Sequence, residues 1–261
     1  MKRRDWLAAA AAWATGPLAM AAETAAPPLS AERIVEKNLA ARGGGAAWRA
    51  VTAVSYTGEL DAGGKKETRL PFTLTLQRPH KSRLEIKFQG RTAVQVYDGQ
   101  NGWKWRPFLN REEVEPYSTV ELQEAAEWDE LDGALIDHQR KGIKVAYAGT
   151  EAVDGRSCYK LRLTGKGGRQ RLLWVDAKTL LEARIEGQPR KLDGRPHGVL
   201  VYFRDYRSVG GLMVPHELET TVVGAKNASH KMSIQAVKAN PQLLAGTFAK
   251  PKPGAETLAA S

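Results

Sequence analysis

The sequence predicts a mainly β protein, in which about a dozen strands form one highly curved antiparallel sheet, with an N-terminal helix and a helical insertion. Short segments of alternating apolar and polar residues recur along the chain, and turn-forming residues separate them. Composition shows no break that would mark a second domain, and there is no short-period repeat. Because an open sheet exposes its edge strands, we expect a sheet of this size to roll towards a barrel.

The N-terminus has the pattern of a secretory signal peptide over residues 1–21. A basic start, Lys2-Arg3-Arg4, precedes an apolar run, and Ala19-Met20-Ala21 supplies a small-x-small cleavage site. We therefore expect export to the periplasm, with residues 22–29 as a flexible lead-in. The paired arginines fit either the general secretory route or the twin-arginine route, and the sequence leaves this choice open.

Charge and cysteine content limit the possible partners. The formal net charge is +10, and it falls to about +8 when the signal, with three cations and one aspartate, is removed. The basic residues are scattered and the protein is predicted to be exported, so we expect anionic lipid or acidic protein partners and no nucleic acid. Cys158 is the only cysteine, so the chain cannot form an internal disulfide and must be stabilised by its core. We expect it to be a monomer.

The first elements of the domain are a helix and a clear strand. Ser30 has the character of an N-cap, and Gly43-Gly44-Gly45 is expected to end the helix. In the strand 69–76, RLPFTLTL, every second residue is apolar, which predicts one buried and one exposed face. Pro71 within it predicts an edge strand or a bulge, because proline has no amide hydrogen for a sheet ladder.

The middle of the chain changes from strand to helix patterns and back. Residues 118–142 are rich in Glu, Ala and Leu and predict a helical insertion, which Gly133 splits into two short helices. Strand patterns then resume, for example in the hairpin LLWVDAKTLLEARIEG at 172–187. We expect one domain over residues 30–250 and a tail over 251–261.

The sequence contains no complete motif for catalysis. His216-Glu217 lacks the second histidine of a zinc-protease motif, since position 220 is threonine. Cys158 has no neighbouring base and is predicted to be a packed apolar residue. Asp129, Glu130 and Asp132 are predicted to form a solvated face of the insertion. We therefore predict no enzyme activity, no metal and no cofactor.

Several segments carry a resemblance to a known family. They are VYDGQNGWKWRPF (Val96–Phe108), LDGALIDHQRKGIKVAYAGTEAVDGRSCYKLRL (Leu131–Leu163), LLWVDAKTLLEARIEG (172–187) and YFRDYRSVGGLMVPHELET (Tyr202–Thr220). In their order and spacing they resemble the outer-membrane lipoprotein-sorting proteins, relatives of the periplasmic lipoprotein carrier LolA. The resemblance extends through most of the mature chain.

This resemblance implies a fold and a function. The fold is an unclosed β half-barrel, in which helices cover a concave, hydrophobic side. In the carrier that cavity takes up the acyl chains of lipoproteins between an inner-membrane transporter and an outer-membrane acceptor. This chain is longer than the carrier, holds the insertion 118–142 and has no lipidation cysteine, so it resembles the soluble carrier rather than the membrane-anchored receptor.

Apolar residues of the strands are the candidates for a cavity wall. Alternation alone fits a filled core as well as a ligand cavity, and a tryptophan pair in particular is often core. The Leu212-Met213 pair, which follows Gly210-Gly211, is either an exposed apolar loop or a plain turn entering the next strand. The expected cavity-lining residues are Trp103, Trp105, Phe72, Leu74, Leu173, Val175 and Leu218.

The function predicted from these observations is a periplasmic, non-enzymatic carrier of acyl chains of lipids or lipoproteins. One alternative is a regulatory sensor of the same architecture, which binds a membrane-protein segment and releases it when lipid fills the cavity. Such a sensor usually has a second domain, and no boundary for one is visible. The other alternative is an enzyme acting on a cell-envelope substrate.

Overall fold

The structure is a computed structural model that describes residues 29–253 except 64–68, 108–110, 129, 193 and 226–228. The predicted signal peptide, the lead-in up to residue 28, Asp129 and residues 254–261 of the predicted tail lie outside the described residues. The described helices are α1 (Ala31–Ala41), α2 (Gly45–Arg49) and α3 (Thr119–Trp128).

Helix α1 begins and ends where the sequence predicts. The Ser30 hydroxyl accepts a hydrogen bond from the Arg33 amide at 3.3 Å, as an N-cap does. After Arg42 the chain turns through Gly43, whose φ of +101° strongly favours glycine. A Cβ atom on Gly43 would lie 2.2 Å from the Gly211 carbonyl oxygen, so glycine also permits the close approach of these two segments.

Strands make up most of the described chain, as predicted. Residues of alternating polarity form most of them, because alternate side chains then point to opposite faces. The thirteen strands are β1 (Ala53–Asp61), β2 (Arg69–Gln77), β3 (Lys81–Phe88), β4 (Arg91–Tyr97), β5 (Gly102–Arg106), β6 (Arg111–Pro116), β7 (Lys144–Val153), β8 (Arg156–Thr164), β9 (Gln170–Asp176), β10 (Glu182–Leu192), β11 (Arg195–Val209), β12 (Leu212–Val222) and β13 (His230–Ala239).

All thirteen strands belong to one antiparallel sheet. Their order is β6-β5-β4-β3-β2-β1-β13-β12-β11-β10-β9-β8-β7. Strands that are consecutive in the chain therefore pair with each other, except β6 and β7, and β1 also pairs with β13. The sheet is not closed, since β6 and β7 form its two edges. The predicted fold class, a mainly β unclosed half-barrel with helical insertions, is confirmed.

The insertion connects the two edges of the sheet. Because β6 and β7 follow one another in the chain but lie at opposite ends of the sheet, the segment between them has to cross from one edge to the other. It begins with α3, as predicted, but residues 131–142 form bends and turns and not the second short helix that was expected. Gly133 and Gly142, both with positive φ, interrupt helical geometry there.

The expectation that Pro71 marks an edge strand is wrong. Strand β2 lies between β1 and β3, in the interior of the sheet order. Pro71 is opposite Glu59 of β1, whereas the pairing with β3 begins one residue later, at Phe72. The proline is therefore beyond the end of the β3 ladder, where its missing amide hydrogen leaves no bond unmade on that side.

The sheet is strongly curved. Side chains from seven neighbouring strands, from β2 through β1 and β13 to β9, border one internal space. In a flat sheet the first and last of these strands would be six spacings of about 4.8 Å, or roughly 29 Å, apart. Only a sheet that bends around this space brings them together, and the covered face is therefore concave.

Two apolar clusters cover the concave face. Under α1, Ile34 and Val35 pack against residues of β8 and β9. Under α2 and the insertion, Trp48 and Ile136 pack with residues of β1, β2, β12 and β13. None of the described helices is long and apolar enough to span a membrane.

Candidate functional site

An apolar cavity of about 210 Å³ lies between the concave face and the insertion. The strands supply most of its wall, and the insertion supplies the roof. Its lining residues are Arg42, Tyr56, Phe72, Leu74, Leu76, Glu130, Leu131, Gly133, Ala134, Leu173, Glu182, Ile185, Phe203, Tyr206, Pro215, Leu218, Met232 and Ile234.

Several of the residues expected to line a cavity are brought together here. Phe72 and Leu74 of β2, Leu173 of β9 and Leu218 of β12 all border this space. Val175 is on the same face of β9 as Leu173, two residues further along, but it is fully buried in the cluster under α1. It contributes to packed core and not to the cavity wall.

Trp103 and Trp105, in contrast, are not among the residues that border the cavity. Thr73 is opposite Glu85, Glu85 is opposite Val94, and Val94 is opposite Trp105. Directly opposed residues share a face, so Trp105 is on the same face as Thr73, and so is Trp103, two residues earlier. Thr73 follows Phe72 directly and therefore points to the other side of the sheet. Both tryptophans are thus on the face opposite to Phe72.

On this outer face the two tryptophans have a structural environment. They pack with Val94 and Val96 of β4 against the C-terminal segment, which contributes Leu243 and Phe248. Their regular spacing marks a shared face correctly, but it is the face that the C-terminal segment covers.

Leu212 and Met213 are the first two residues of β12, directly after the Gly210-Gly211 turn, and do not form an exposed loop. Leu212 is 6% exposed and belongs to the cluster under α2. The Met213 amide donates a hydrogen bond to the Arg42 carbonyl at 3.1 Å, and the Arg42 side chain donates to the Met213 carbonyl at 3.1 Å. The pair therefore fixes the start of β12 to the end of α1.

A buried ion pair borders the otherwise apolar cavity. Arg42 donates to the Glu182 carboxylate at 2.7 Å, and both side chains are less than a tenth exposed. Tyr206 donates to the other Glu182 oxygen at 3.2 Å, and the Arg42 guanidinium is 4.6 Å from the centre of the Trp48 ring. The charges are thus paired and hydrogen-bonded, as buried charges have to be.

Burial shifts the titration of this group of residues. Burial alone would lower the pKa of Arg42, but the Glu182 carboxylate outweighs it and raises that pKa. Burial raises the pKa of Tyr56 to about 12, and burial together with Glu182 raises the pKa of Tyr206 well above its usual value. Both tyrosines are therefore neutral at neutral pH.

No local pattern indicates this ion pair, because Arg42 and Glu182 are 140 residues apart in the chain. Arg42 follows a helix and Glu182 begins a strand after a turn, where charged residues are usually exposed. The one available hint is local. Glycines at 43 and 211 allow the end of α1 to approach the start of β12, which carries Arg42 into the interior.

The roof of the cavity is held by a second buried carboxylate. Asp132 is 1% exposed, and it accepts hydrogen bonds from Arg78 at 2.6 Å and from Lys141. Lys141 also donates to the Gly133 carbonyl at 2.7 Å. The prediction of a solvated acidic face is therefore wrong for Asp132, because two cations distant in sequence compensate its burial.

Helix α3 is fixed to the β8–β9 hairpin by ion pairs. Arg169 donates to Glu124 at 2.6 Å and to Glu127 at 3.0 Å, and Arg171 also pairs with Glu124. The Arg171 guanidinium is 4.4 Å from the centre of the Trp128 ring, and burial lowers the pKa of Arg171 to about 10. These contacts hold the first half of the insertion against one side of the sheet.

The candidate catalytic and metal-binding residues of the sequence, His216 and Cys158 among them, have structural environments in the described part of the chain. No group of three or more His, Cys, Asp or Glu side chains there could hold a metal ion. His216 is buried on β12, and its Nδ1 donates to the Val214 carbonyl at 3.0 Å. Cys158 is fully buried on β8, and burial raises the pKa of its thiol, which disfavours the reactive thiolate.

Solved structures with a similar fold were found. A LolA superfamily protein from Nitrosomonas europaea matches 85% of this chain and 99% of its own, with a TM-score of 0.55 and 17% identity. A DUF1329 family protein from Desulfovibrio piger matches 84% of this chain and 96% of its own, with a TM-score of 0.52 and 15% identity. An outer-membrane lipoprotein-sorting protein domain from Vibrio parahaemolyticus matches 83% and 95%, with a TM-score of 0.52 and 12% identity.

These likenesses confirm, for the fold, the resemblance seen in the sequence. No protein-family model matches the sequence, and no curated protein matches it. At the identities of the solved structures the similarity concerns the fold, and a fold by itself does not define a function.

Proposed function

We propose that this protein is a periplasmic, non-enzymatic carrier that holds an acyl chain of a lipid or lipoprotein in the cavity of its half-barrel. The observation that carries the proposal is the cavity itself, whose wall is mostly Leu, Ile, Phe and Met side chains. Apolar walls with few polar groups are typical of sites for apolar ligands. The similarity to a lipoprotein-sorting domain supports the same proposal.

The cavity volume indicates how much of a chain fits. At about 210 Å³ it is larger than an engineered cavity of about 150 Å³ that binds benzene, but smaller than the roughly 300 Å³ at which ordinary ligand pockets begin. It therefore holds part of an acyl chain as it stands. A whole chain requires residues 130–134, the roof, to move away from the sheet.

The energetics support reversible binding. Each methylene that enters an apolar cavity contributes about 0.8 kcal/mol, whereas association costs at least about 4 kcal/mol. More than about five methylenes must therefore enter before binding becomes favourable. Each further methylene strengthens binding modestly, which suits a carrier that both loads and releases its cargo.

The wider role that we propose is the sorting of outer-membrane lipoproteins. The protein would act as a monomer over residues 30–250, after removal of the signal peptide 1–21, between an inner-membrane transporter and an outer-membrane acceptor. The apolar cavity supports this role, because a lipid anchor needs shelter from water between two membranes.

The proposal is tested by native mass spectrometry of the mature protein, purified from periplasm without detergent and followed by lipid extraction. We expect phospholipid or lipopeptide in a near one-to-one ratio. A Leu218→Trp variant, in which the indole occupies the cavity, is the matched control and should carry little lipid. Protein that is free of lipid and that also fails to take up a fluorescent fatty acid would contradict the proposal.

A further inference from the structure

A second, polar space lies beside the apolar cavity. This cleft has a volume of about 880 Å³, and Glu130 borders both spaces. It is predominantly cationic, with six cations against three carboxylates. The charged residues that line it are Arg49, Arg78, Arg140, Lys141, Lys166 and Arg169, with Glu127, Glu130 and Asp137.

Part of this positive charge is already neutralised by the fold. Arg78 and Lys141 bind the buried Asp132. Arg169 pairs with Glu127 and with Glu124 behind it. These cations hold the insertion in place and have little charge to offer a ligand.

Three other cations of the cleft are less fully neutralised by carboxylates. Arg49 and Arg140 share one carboxylate, that of Asp137, at 2.9 Å and 3.7 Å. Arg140 is 78% exposed. Lys166 is exposed and extends across Gly142, and no carboxylate among the described residues forms an ion pair with it. We call Arg49, Arg140 and Lys166 the cationic rim.

The carboxylates of the cleft do little to repel an anion at this rim. Glu127 is paired with Arg169. Glu130 is only partly compensated, since it lies 3.8 Å from Arg78, which it shares with Asp132, and 3.3 Å from His80. Its side chain is largely buried in the wall between the two spaces. The rim itself keeps three cations against the single carboxylate of Asp137.

We infer that the cationic rim binds the anionic headgroup, phosphate or carboxylate, of the amphiphile whose acyl chain occupies the cavity; this inference rests on the proposed function. An apolar cavity and a cationic cleft that share one wall residue match the two ends of such a molecule. The rim cations are exposed, and salt screens exposed charges over about 8 Å under physiological conditions, so a free small anion is held weakly. A headgroup tethered by its own chain has a high effective concentration at the rim.

The test is a titration calorimetry series with lipids of equal, short chains. The probes are dioctanoyl phosphatidylglycerol, which is anionic, dioctanoyl phosphatidylcholine, which is zwitterionic, and glycerol 3-phosphate, which has no chain. An octanoyl chain exceeds the roughly five methylenes that favourable binding requires. Each exposed ion pair contributes a factor of about two to five in affinity. We therefore expect the anionic lipid to bind about fivefold more tightly than the zwitterionic lipid, with the difference shrinking as salt is added.

Two double variants test whether the preference for the anionic lipid arises at the cationic rim. Arg140→Ala/Lys166→Ala should abolish the preference for the anionic lipid, and it should weaken binding of the zwitterionic lipid much less, because the choline cation of that lipid already offsets its phosphate. Lys87→Ala/Lys238→Ala removes the same charge from exposed positions that do not line the cleft, and it should retain the preference.

The other outcomes each overturn the inference in a distinguishable way. Equal affinity for both lipids, in wild type and rim variant, contradicts the rim while the carrier function stands. Glycerol 3-phosphate that binds as tightly as the anionic lipid shows a site for small anions and not for headgroups. Failure of every lipid to bind contradicts both the rim and the carrier.

Discussion

Two neighbouring patches of the concave face have the same alternating sequence pattern, but one is packed with side chains and the other borders a cavity. Under α1, Leu161, Leu163 and Val175 are fully buried against a helix that inserts Ile34 and Val35 between them. Under the insertion, Phe72, Leu74 and Leu218 border a cavity. The difference lies in what covers each patch and not in the strands.

The two covers differ in the size of their side chains. Helix α1 places several branched side chains against the sheet, whereas Leu131 is the one large apolar side chain that the roof adds to the cavity wall, and Gly133 and Ala134 add almost nothing. The roof is fixed mainly by its polar contacts, those of Asp132 with Arg78 and Lys141. A face covered by a segment with few large apolar side chains leaves a space, and a face covered by an amphipathic helix does not.

The largest expected effect contrasts truncations in the two patches. Leu161→Ala should lower the free energy of unfolding by about 3 kcal/mol, because a fully packed leucine leaves a new cavity. Leu218→Ala should cost about 1 kcal/mol, because Leu218 already borders empty volume. Urea unfolding of both variants measures the difference. Equal losses would show that the two patches are packed alike.

Replacing a leucine by tryptophan should also affect the two patches differently, lowering stability in the packed patch and fatty-acid uptake in the patch that borders the cavity. Leu163→Trp overfills the patch under α1 and should lower stability by about 2 kcal/mol. Leu218→Trp has room and should change stability by less than about 1 kcal/mol, while reducing fatty-acid uptake at least about tenfold. Thermal unfolding and a fluorescent fatty-acid titration check both values. Normal uptake by Leu218→Trp would place the ligand elsewhere.

Loosening the insertion should affect uptake more than stability. Glu124→Gln/Glu127→Gln weakens the ion pairs that hold α3 against Arg169 and Arg171. We expect a loss of about 1 kcal/mol in stability and a severalfold faster uptake of fatty acid in stopped-flow fluorescence. Glu36→Gln, which breaks the exposed pair with Arg33, is the control and should leave uptake unchanged. An unchanged rate in the α3 variant would show that the insertion does not gate the cavity.

The smallest expected effect is on stability, and it concerns the ion pairs of Glu151, which lie outside both patches. Hydrogen bonds from Lys160 and Arg184 lower the pKa of Glu151 to about 2. A lowered native pKa contributes stability above the unfolded value of about 4.5, and this contribution is lost as the pH falls towards 2. Since the Glu151 side chain is 40% exposed, the pair contributes at most about 1 kcal/mol.

Glu151→Gln should therefore be slightly less stable than wild type at pH 7, and the two proteins should converge between pH 4.5 and pH 2. Urea unfolding along a pH series measures this. Fatty-acid uptake at pH 7 should not change, because Glu151 borders neither patch. A difference that grows on acidification would have the wrong sign for this account.

The alternation of residues predicted most of the strands and the helix α1, because burial on one face imposes a period of two on a strand and a capping residue marks a helix start. It could not predict which face Trp103 and Trp105 take relative to Phe72. That choice depends on the register across β3 and β4, which no single strand encodes.

Local sequence patterns could not predict the buried ion pairs of the site. Asp132 is read as exposed when only its neighbours in sequence are considered, and it is buried because Arg78 comes from a segment 54 residues away. Arg42 and Glu182 meet only after the sheet has curved. Long-range pairs of this kind stay invisible until the topology is known.

The proposed function requires an acyl chain to enter the concave face beneath the insertion. A fatty acid that carries a photoactivatable diazirine near its methyl end, cross-linked to the mature protein and located by peptide mass spectrometry, tests this most directly. We expect labels on Phe72, Leu218, Met232 and the roof residues 131–134. Labels on Trp103, Trp105 or the segment around Phe248, on the outer face, would contradict it.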